Sequence, residues 1–342
     1  MSRNPILDFE IDKSAIQYVG HDLQRPECIL AERDGTLWSA DARGGVARLT
    51  PDGTQTIITQ KRSGHFDEVT SEAARYLQGT LPNGLAFARN GDILISNFGT
   101  DCLEIMSRDG TTKVLADSID GQAIGKVNFV LRDSKDRIWI TVSTKVKNWM
   151  HALRTDLPDG YIARYEDGKF RIVADGFHFT NEIRMDAKEE FLYVVETTGG
   201  CVSRLRVDAK GNLSNREVFG PSSLGKGAWP DGIAFDTFGN LWGTLVYSDK
   251  LFVLTPEGEL KILLDEGDPQ KVAALEKAFF NNHVTEDVLF VTGQGIAPWM
   301  ASVTFGGPDL RTVYIGSLKG KRIPYFRSPV PGLPMVHWND SK

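Results

Sequence analysis

The sequence predicts an all-β fold: a six-bladed β-propeller of four-stranded antiparallel blades with a few helical insertions, spanning residues 1–342 as one domain. Three observations predict it. A strand–turn–strand pattern is written six times at spacings of about 45 to 70 residues, the range of propellers and solenoids. A further strand pair lies between successive copies, so each repeat holds four strands, which bury both faces best by radial packing. The 34 glycines set against 18 phenylalanines and 7 tryptophans suit many short strands joined by tight turns.

The six copies are PECILAERDGTLWSAD from 26, PNGLAFARNGDILISN from 82, VNFVLRDSKDRIWIT from 127, TNEIRMDAKEEFLYVVE from 180, PDGIAFDTFGNLWGTL from 230 and ASVTFGGPDLRTVYIG from 301. Their turns hold Asp34-Gly35, Asn90-Gly91, Lys135-Asp136, Lys188-Glu189, Phe238-Gly239 and Pro308-Asp309, mostly the chemistry that closes antiparallel hairpins. The intervening pairs include GGVARLTPDGTQTII from 44 and DKLFVLTPEGELKILL from 249. The last blade must borrow a strand, and either the N-terminal SAIQYVG or the C-terminal KGKRIPYFRSPV can supply it.

Three insertions interrupt the repeat. Residues 61–80 predict a short helix, and residues 266–283 a second helical stretch, DPQKVAALEKAFFNN. Residues 142–158 are expected to form a lid, because Trp149, Met150 and Leu153 beside Lys145 and Lys147 suit covering an anionic or polar substrate. A lid there would bring His151 into the site.

Bulk properties set limits. Hydrophobic residues make up 41% and charged residues 25%, an ordinary globular balance. The net charge of -6 and the lack of a Lys/Arg cluster argue against nucleic-acid binding. The first residues carry acids where a signal peptide needs an apolar core, and no apolar run approaches the roughly 20 residues of a membrane span, so a cytoplasmic location is expected, with no membrane partner. Cys28, Cys102 and Cys201 are odd in number and far apart, which predicts reduced thiols. The expected assembly is a monomer or a homodimer.

In a propeller the innermost strands line a central channel, so residues at the heads of the copies converge on one mouth. The heads are Glu27, Asn83, Asn128, Asn181, Asp231 and Ser302. Two carboxylates, three amides and a hydroxyl are hard oxygen donors, suited to Ca²⁺, Mg²⁺ or Mn²⁺. Glu27 and Asp231 match a divalent charge, and bringing them together without one is costly.

The PNGLAF and PDGIAF heads, the Pro-Glu-Cys of the first copy and the FGGPDLRTVY of the last together resemble the SMP-30/gluconolactonase/LRE family of six-bladed propeller lactonases, over nearly the whole chain. The resemblance implies one divalent cation, calcium first and Mg²⁺, Mn²⁺ or Zn²⁺ as the other candidates, held by Glu27, Asn181 and Asp231. It implies a substrate contact at Asn128 and a catalytic base at Asp231. The expected reaction is hydrolysis of a small cyclic ester, with Asn83 and Asn128 orienting the lactone. Phe129 stands where many members carry an acid, and Glu182 and Arg184 depart from the pattern after Asn181. These changes predict a bulkier, less sugar-like pocket with Phe129 against the substrate. His178, three residues before Asn181, is a further candidate substrate contact. The rival readings are a phosphotriester hydrolase on the same ion and a propeller that binds without catalysis or, like strictosidine-synthase relatives, without an ion. No Gly-x-Ser-x-Gly elbow, phosphate loop or dinucleotide fingerprint is present.

Overall fold

In a computed structural model, residues 3–61, 79–166 and 168–340 are described. They form six four-stranded antiparallel sheets arranged as the blades of a propeller. The innermost strands of blades 1 to 6 are Ile29–Ala31, Pro82–Phe87, Val127–Arg132, Thr180–Met185, Pro230–Phe235 and Met300–Gly306. Blade 6 is closed by the N-terminus. Its outermost strand is Gln17–Val19, paired antiparallel with Ile323–Arg327 of the C-terminal part, so each of the two candidate segments supplies a strand.

Local chemistry explains why each copy folds as a hairpin. Every inner turn places at least one residue at positive φ: Gly35, Gly91, Asp136, Glu189 and Gly239 in the first five, Gly307 and Leu310 in the last. In the last turn these two residues flank the expected Pro308-Asp309 pair. Blades 1, 3 and 5 also repeat a buried pair in which an indole N–H needs an acceptor. Trp38 donates to Glu32 at 2.7 Å, Trp139 to Asp133 at 2.8 Å and Trp242 to Asp236 at 3.0 Å.

The feature that positions the site is a bulge at the head of the inner strand. Pairing with the second strand slips between Pro82 and Leu85, Val127 and Phe129, Thr180 and Ile183, Pro230 and Ile233, and Met300 and Ser302. A bulge leaves residues out of the ladder and re-aims their side chains. In blades 2 to 5 the residue after the first paired position is Asn83, Asn128, Asn181 or Asp231. In blade 6 that position belongs to Ala301, because Met300 pairs with Ser317 as Pro230 pairs with Leu245. Ser302 is therefore one residue too far along. Its hydroxyl instead donates to the Glu27 carbonyl, tying blade 6 to blade 1.

The mouth carrying these heads is roofed by a second hydrophobic cluster. Helix α1, Pro269–Phe280, starts where the Asp268 carboxylate caps the Gln270 and Lys271 amides, with Pro269 at its first position. It packs Val272, Leu275 and Phe279 with Trp149, Met150 and Leu153 of the 142–158 segment, and with Leu289 of the short helix α2, Glu286–Leu289. The helix expected within 61–80 falls almost wholly outside the described residues. No helix among the described residues is long and apolar enough to cross a membrane.

Candidate metal centre at the channel mouth

Five of the six predicted heads line one small cavity. Glu27, Asn83, Asn128, Asn181 and Asp231 form its floor, with Arg25 and Thr197 beside them. The roof is Phe98, Trp149, Phe179, Val246, Tyr247, Trp299 and Leu318. Roof rings meet edge to face, Phe98 on Trp149 at 6.3 Å and Tyr247 on Trp299 at 5.3 Å between centroids. The cavity volume is about 40 Å³. Each water needs roughly 10–15 Å³, so the space suits an ion with a few waters. Small-molecule sites run to about 300–1,000 Å³, so substrate entry requires the roof to shift.

The floor is held by hydrogen bonds within and between blades. The Asn83 amide donates to the Asn128 carbonyl at 3.0 Å, and the Asn181 amide donates to Thr197 Oγ1 at 3.1 Å. Thr197 passes the contact on, donating to the Pro230 carbonyl at 2.7 Å. These bonds use the amide nitrogens and leave the oxygens directed elsewhere. Asn128 Oδ1 and Asn181 Oδ1 are buried without a hydrogen-bond partner, and Glu27 Oε2 faces the Arg25 guanidinium at 2.8 Å. Two orphaned amide oxygens from adjacent blades at one cavity form an unusual concentration, since buried polar atoms are nearly always satisfied.

Electrostatics points the same way. Burial pushes Glu27 up to about 7 despite the neighbouring Arg25 charge. Asp231 is raised well above the usual carboxylate range, first by burial and then by the Glu27 and Glu182 carboxylates. Glu182 lies beneath the ring, pushed up to about 7 by burial and paired with Arg184 at 3.0 Å. Such a cage favours a cation. No group of three His, Cys, Asp or Glu side chains gathers among the described residues. The donors here are two carboxylates with amide oxygens, a set that fits a hard divalent ion rather than a thiolate- or imidazole-seeking one.

Three expected substrate contacts lie elsewhere. Phe129 is buried below the ring, in the core shared by blades 1 to 4, with the Arg184 guanidinium 4.5 Å from its ring centroid. It follows the bulge, so its side chain turns away from the cavity that Asn128 lines. His178 is displaced because Phe179, at φ 53°, turns the chain and takes the place on the cavity wall. His178 instead edges a separate cleft with Glu196, Cys201 and Arg216. His151 is exposed on the outer side of the short helix Trp149–Ala152, whose Trp149, Met150 and Ala152 turn inward. The segment does cover the cavity, through Trp149.

Arg25 was not among the expected site residues. It stands two residues before Glu27, and its signal in the sequence is a cation in Arg-Pro-Glu at the head of a copy that otherwise starts neutral. A cavity of about 720 Å³ opens at the opposite mouth, among the inner turns, but its arginines are paired: Arg132 with Asp136 and Asp340, Arg137 with Asp133 and Arg184 with Glu182.

Residues 25–265 match the family model described as the SMP-30/Gluconolactonase/LRE-like region, most of the chain. The chain belongs to this family. Among curated proteins it is similar to a 6-deoxy-6-sulfogluconolactonase of Pseudomonas putida, 23% identical over 168 residues, which cover 49% of this chain and 48% of the relative. The chain thus spans about half the length of that family relative. Solved structures share the SMP-30/gluconolactonase fold over almost the full length. A luciferin-regenerating enzyme superposes with TM-score 0.68 at 15% identity, covering 94% of this chain and 98% of its own. A calcium-binding protein, regucalcin, from Agrobacterium tumefaciens gives TM-score 0.64 at 16% identity, covering 93% and 96%.

Proposed function

We propose that this protein is a divalent-cation-dependent hydrolase that opens a small cyclic ester, with Ca²⁺ as the preferred ion. The observation that carries this reading is the convergence of the unpartnered Asn128 and Asn181 oxygens with the Glu27 and Asp231 carboxylates in one cavity. Glu27, Asn181 and Asp231 would hold the ion. When bound, it supplies positive charge that polarises the ester carbonyl and stabilises the negative charge developing there as water adds. Family membership and the sulfogluconolactonase relative support a lactone as substrate, and the regucalcin fold match supports calcium.

The chain's own residues divide the remaining work. Asp231 accepts the proton of the attacking water, a role for a carboxylate placed at the reacting atoms. Asn83 and Asn128, fixed to each other across blades 2 and 3, orient the ring. The aromatic roof excludes water and strengthens every charge interaction beneath it. Since the cavity is far smaller than the usual small-molecule site, Trp149 and its segment move aside to admit substrate. A roof of Phe98, Trp149, Phe179 and Trp299 suits a lactone with a broad apolar face better than a bare polyol.

The test is a hydrolysis assay of γ- and δ-lactones and of paraoxon, on protein stripped with chelator and reloaded with Ca²⁺. Lactone turnover should vanish on stripping and return on reloading, and Asp231→Asn should lower kcat by about 10²–10⁴-fold. Reloaded protein that cleaves paraoxon but no lactone, or an Asp231→Asn variant at the wild-type rate, would overturn the assignment.

A further inference from the structure

The cavity already contains a cation that belongs to the chain. Arg25 Nη1 lies 2.8 Å from Glu27 Oε2, the same oxygen that has no hydrogen-bond partner of good geometry. The guanidinium reaches across from blade 1 to blade 2, with Nη1 donating to the Pro82 carbonyl at 3.1 Å and Nη2 donating to Asn83 Oδ1 at 2.6 Å. Its Nε is buried and unpartnered. Arg25 is 9% exposed and adopts φ 57°, a left-handed conformation unfavourable for a side chain of this size. A strained backbone thus aims a buried charge at a residue expected to bind the metal.

Charge counting shows the consequence. Arg184 neutralises Glu182 below the ring, leaving Glu27 and Asp231 facing Arg25. With both carboxylates ionised, as ligands of a cation must be, they and Arg25 sum to one negative charge. A divalent ion would bring the site to one positive charge, with two cations sharing Glu27 in a desolvated space where like charges repel strongly. Without Arg25 the same ion would make the site neutral.

We propose that Arg25 is a tethered counter-cation that competes with the metal ion for Glu27, so that it weakens ion binding and holds the cage together when the ion is absent. This rests on the metal-dependent reading of the same site. Arg25 is a positioning residue in this role: it acts on Glu27, not on the substrate.

The test measures Ca²⁺ affinity by competition with a chromophoric chelator, and the rise in Tm on adding Ca²⁺, for wild type, Arg25→Gln and Arg25→Lys. Arg25→Gln should bind Ca²⁺ at least tenfold more tightly, melt lower than wild type without the ion and gain more from adding it. Arg25→Lys, which keeps the charge but loses the two-pronged contact, should fall between. If Arg25→Gln cannot be obtained folded, the lysine variant decides, and tightening of threefold or more supports the competition. Equal affinities and equal Ca²⁺ shifts in wild type and variants would overturn the role of Arg25 while leaving the metal site standing. Absence of Ca²⁺ binding in all three proteins would overturn both readings. A wild type that binds none alongside an Arg25→Gln that binds would show the arginine winning the competition outright.

Discussion

Glu182 and Arg184 sit two residues apart on the inner strand of blade 4, both buried in the channel beneath the ring. Glu182 Oε2 accepts from the Ile233 amide of blade 5 at 3.2 Å, and Arg184 covers Phe129 of blade 3. A buried pair of this kind adds little net stability over well-packed apolar residues, yet removing one partner strands a charge. Glu182→Ala should therefore cost about 3–5 kcal/mol by urea unfolding, whereas the double variant Glu182→Leu/Arg184→Leu should be near neutral. A double variant as unstable as the single one would show that the pair's value lies in shape and the Ile233 contact instead of charge balance. Both residues were visible in the sequence as departures from the family pattern, with Phe129. Their chemistry was legible, but their facing was not. A bulge ahead of them turns Phe129, Glu182 and Arg184 below the ring, where they fill the channel instead of shaping the substrate pocket.

At the level of the strand, the residue after each head decides how closely neighbouring inner strands approach. These positions are Cys28, Gly84, Phe129, Glu182, Gly232 and Ser302, with the glycines in front of bulky or closely packed neighbours. A Cβ on Gly84 would lie 2.7 Å from Phe129 Cα and from its ring, and one on Gly232 would lie 2.5 Å from Ser302 Cα. The Gly in the repeated Pro-Asn-Gly and Pro-Asp-Gly heads is thus a packing requirement between blades, and the Asn or Asp before it is free to serve the cavity. Gly84→Ala should destabilise by about 1–3 kcal/mol, the cost of overpacking, read as a lower Tm. An unchanged Tm would mean that the blade 2–blade 3 contact is looser than these distances imply. The repeat made the heads of blades 1 to 5 legible, since motif and position recur together. Blade 6 was misread by one residue because a bulge shifts register without changing the apolar pattern, so Ser302 took the place that belongs to Ala301.

Across the whole molecule, closure uses both ends of the chain. Strand pairing between distant segments leaves no period in the sequence, which is why the closing strand was not readable beforehand. After Ile323–Arg327 the C-terminal tail crosses the mouth opposite the candidate metal centre. Leu333 donates its amide to the Phe235 carbonyl at 2.8 Å, Arg132 pairs with Asp340, and Met335 packs on the central core. His337 joins the tail to the first two blades, with Nε2 2.9 Å from the Ala31 carbonyl and its ring edge-on to Phe87 at 4.9 Å. Burial holds His337 below its ordinary value near 6.5, and the Arg132 charge adds to this, against the Ala31 hydrogen bond and the Glu32 and Asp340 carboxylates. The folded state therefore takes up this proton less readily than the unfolded chain. As pH falls through about 6.5, unfolded chains bind a proton that the native tail resists, and stability drops until the depressed native value is reached. Other buried groups titrate as well, so the informative quantity is a difference between variants. Urea midpoints at pH 7.5 and 5.5 should fall further on acidification in wild type than in His337→Gln, which can keep a donor near Ala31 but carries no titrating ring. Equal slopes would show that the tail's contact with blades 1 and 2 does not sense protonation, and that the acid sensitivity of the closed ring arises elsewhere.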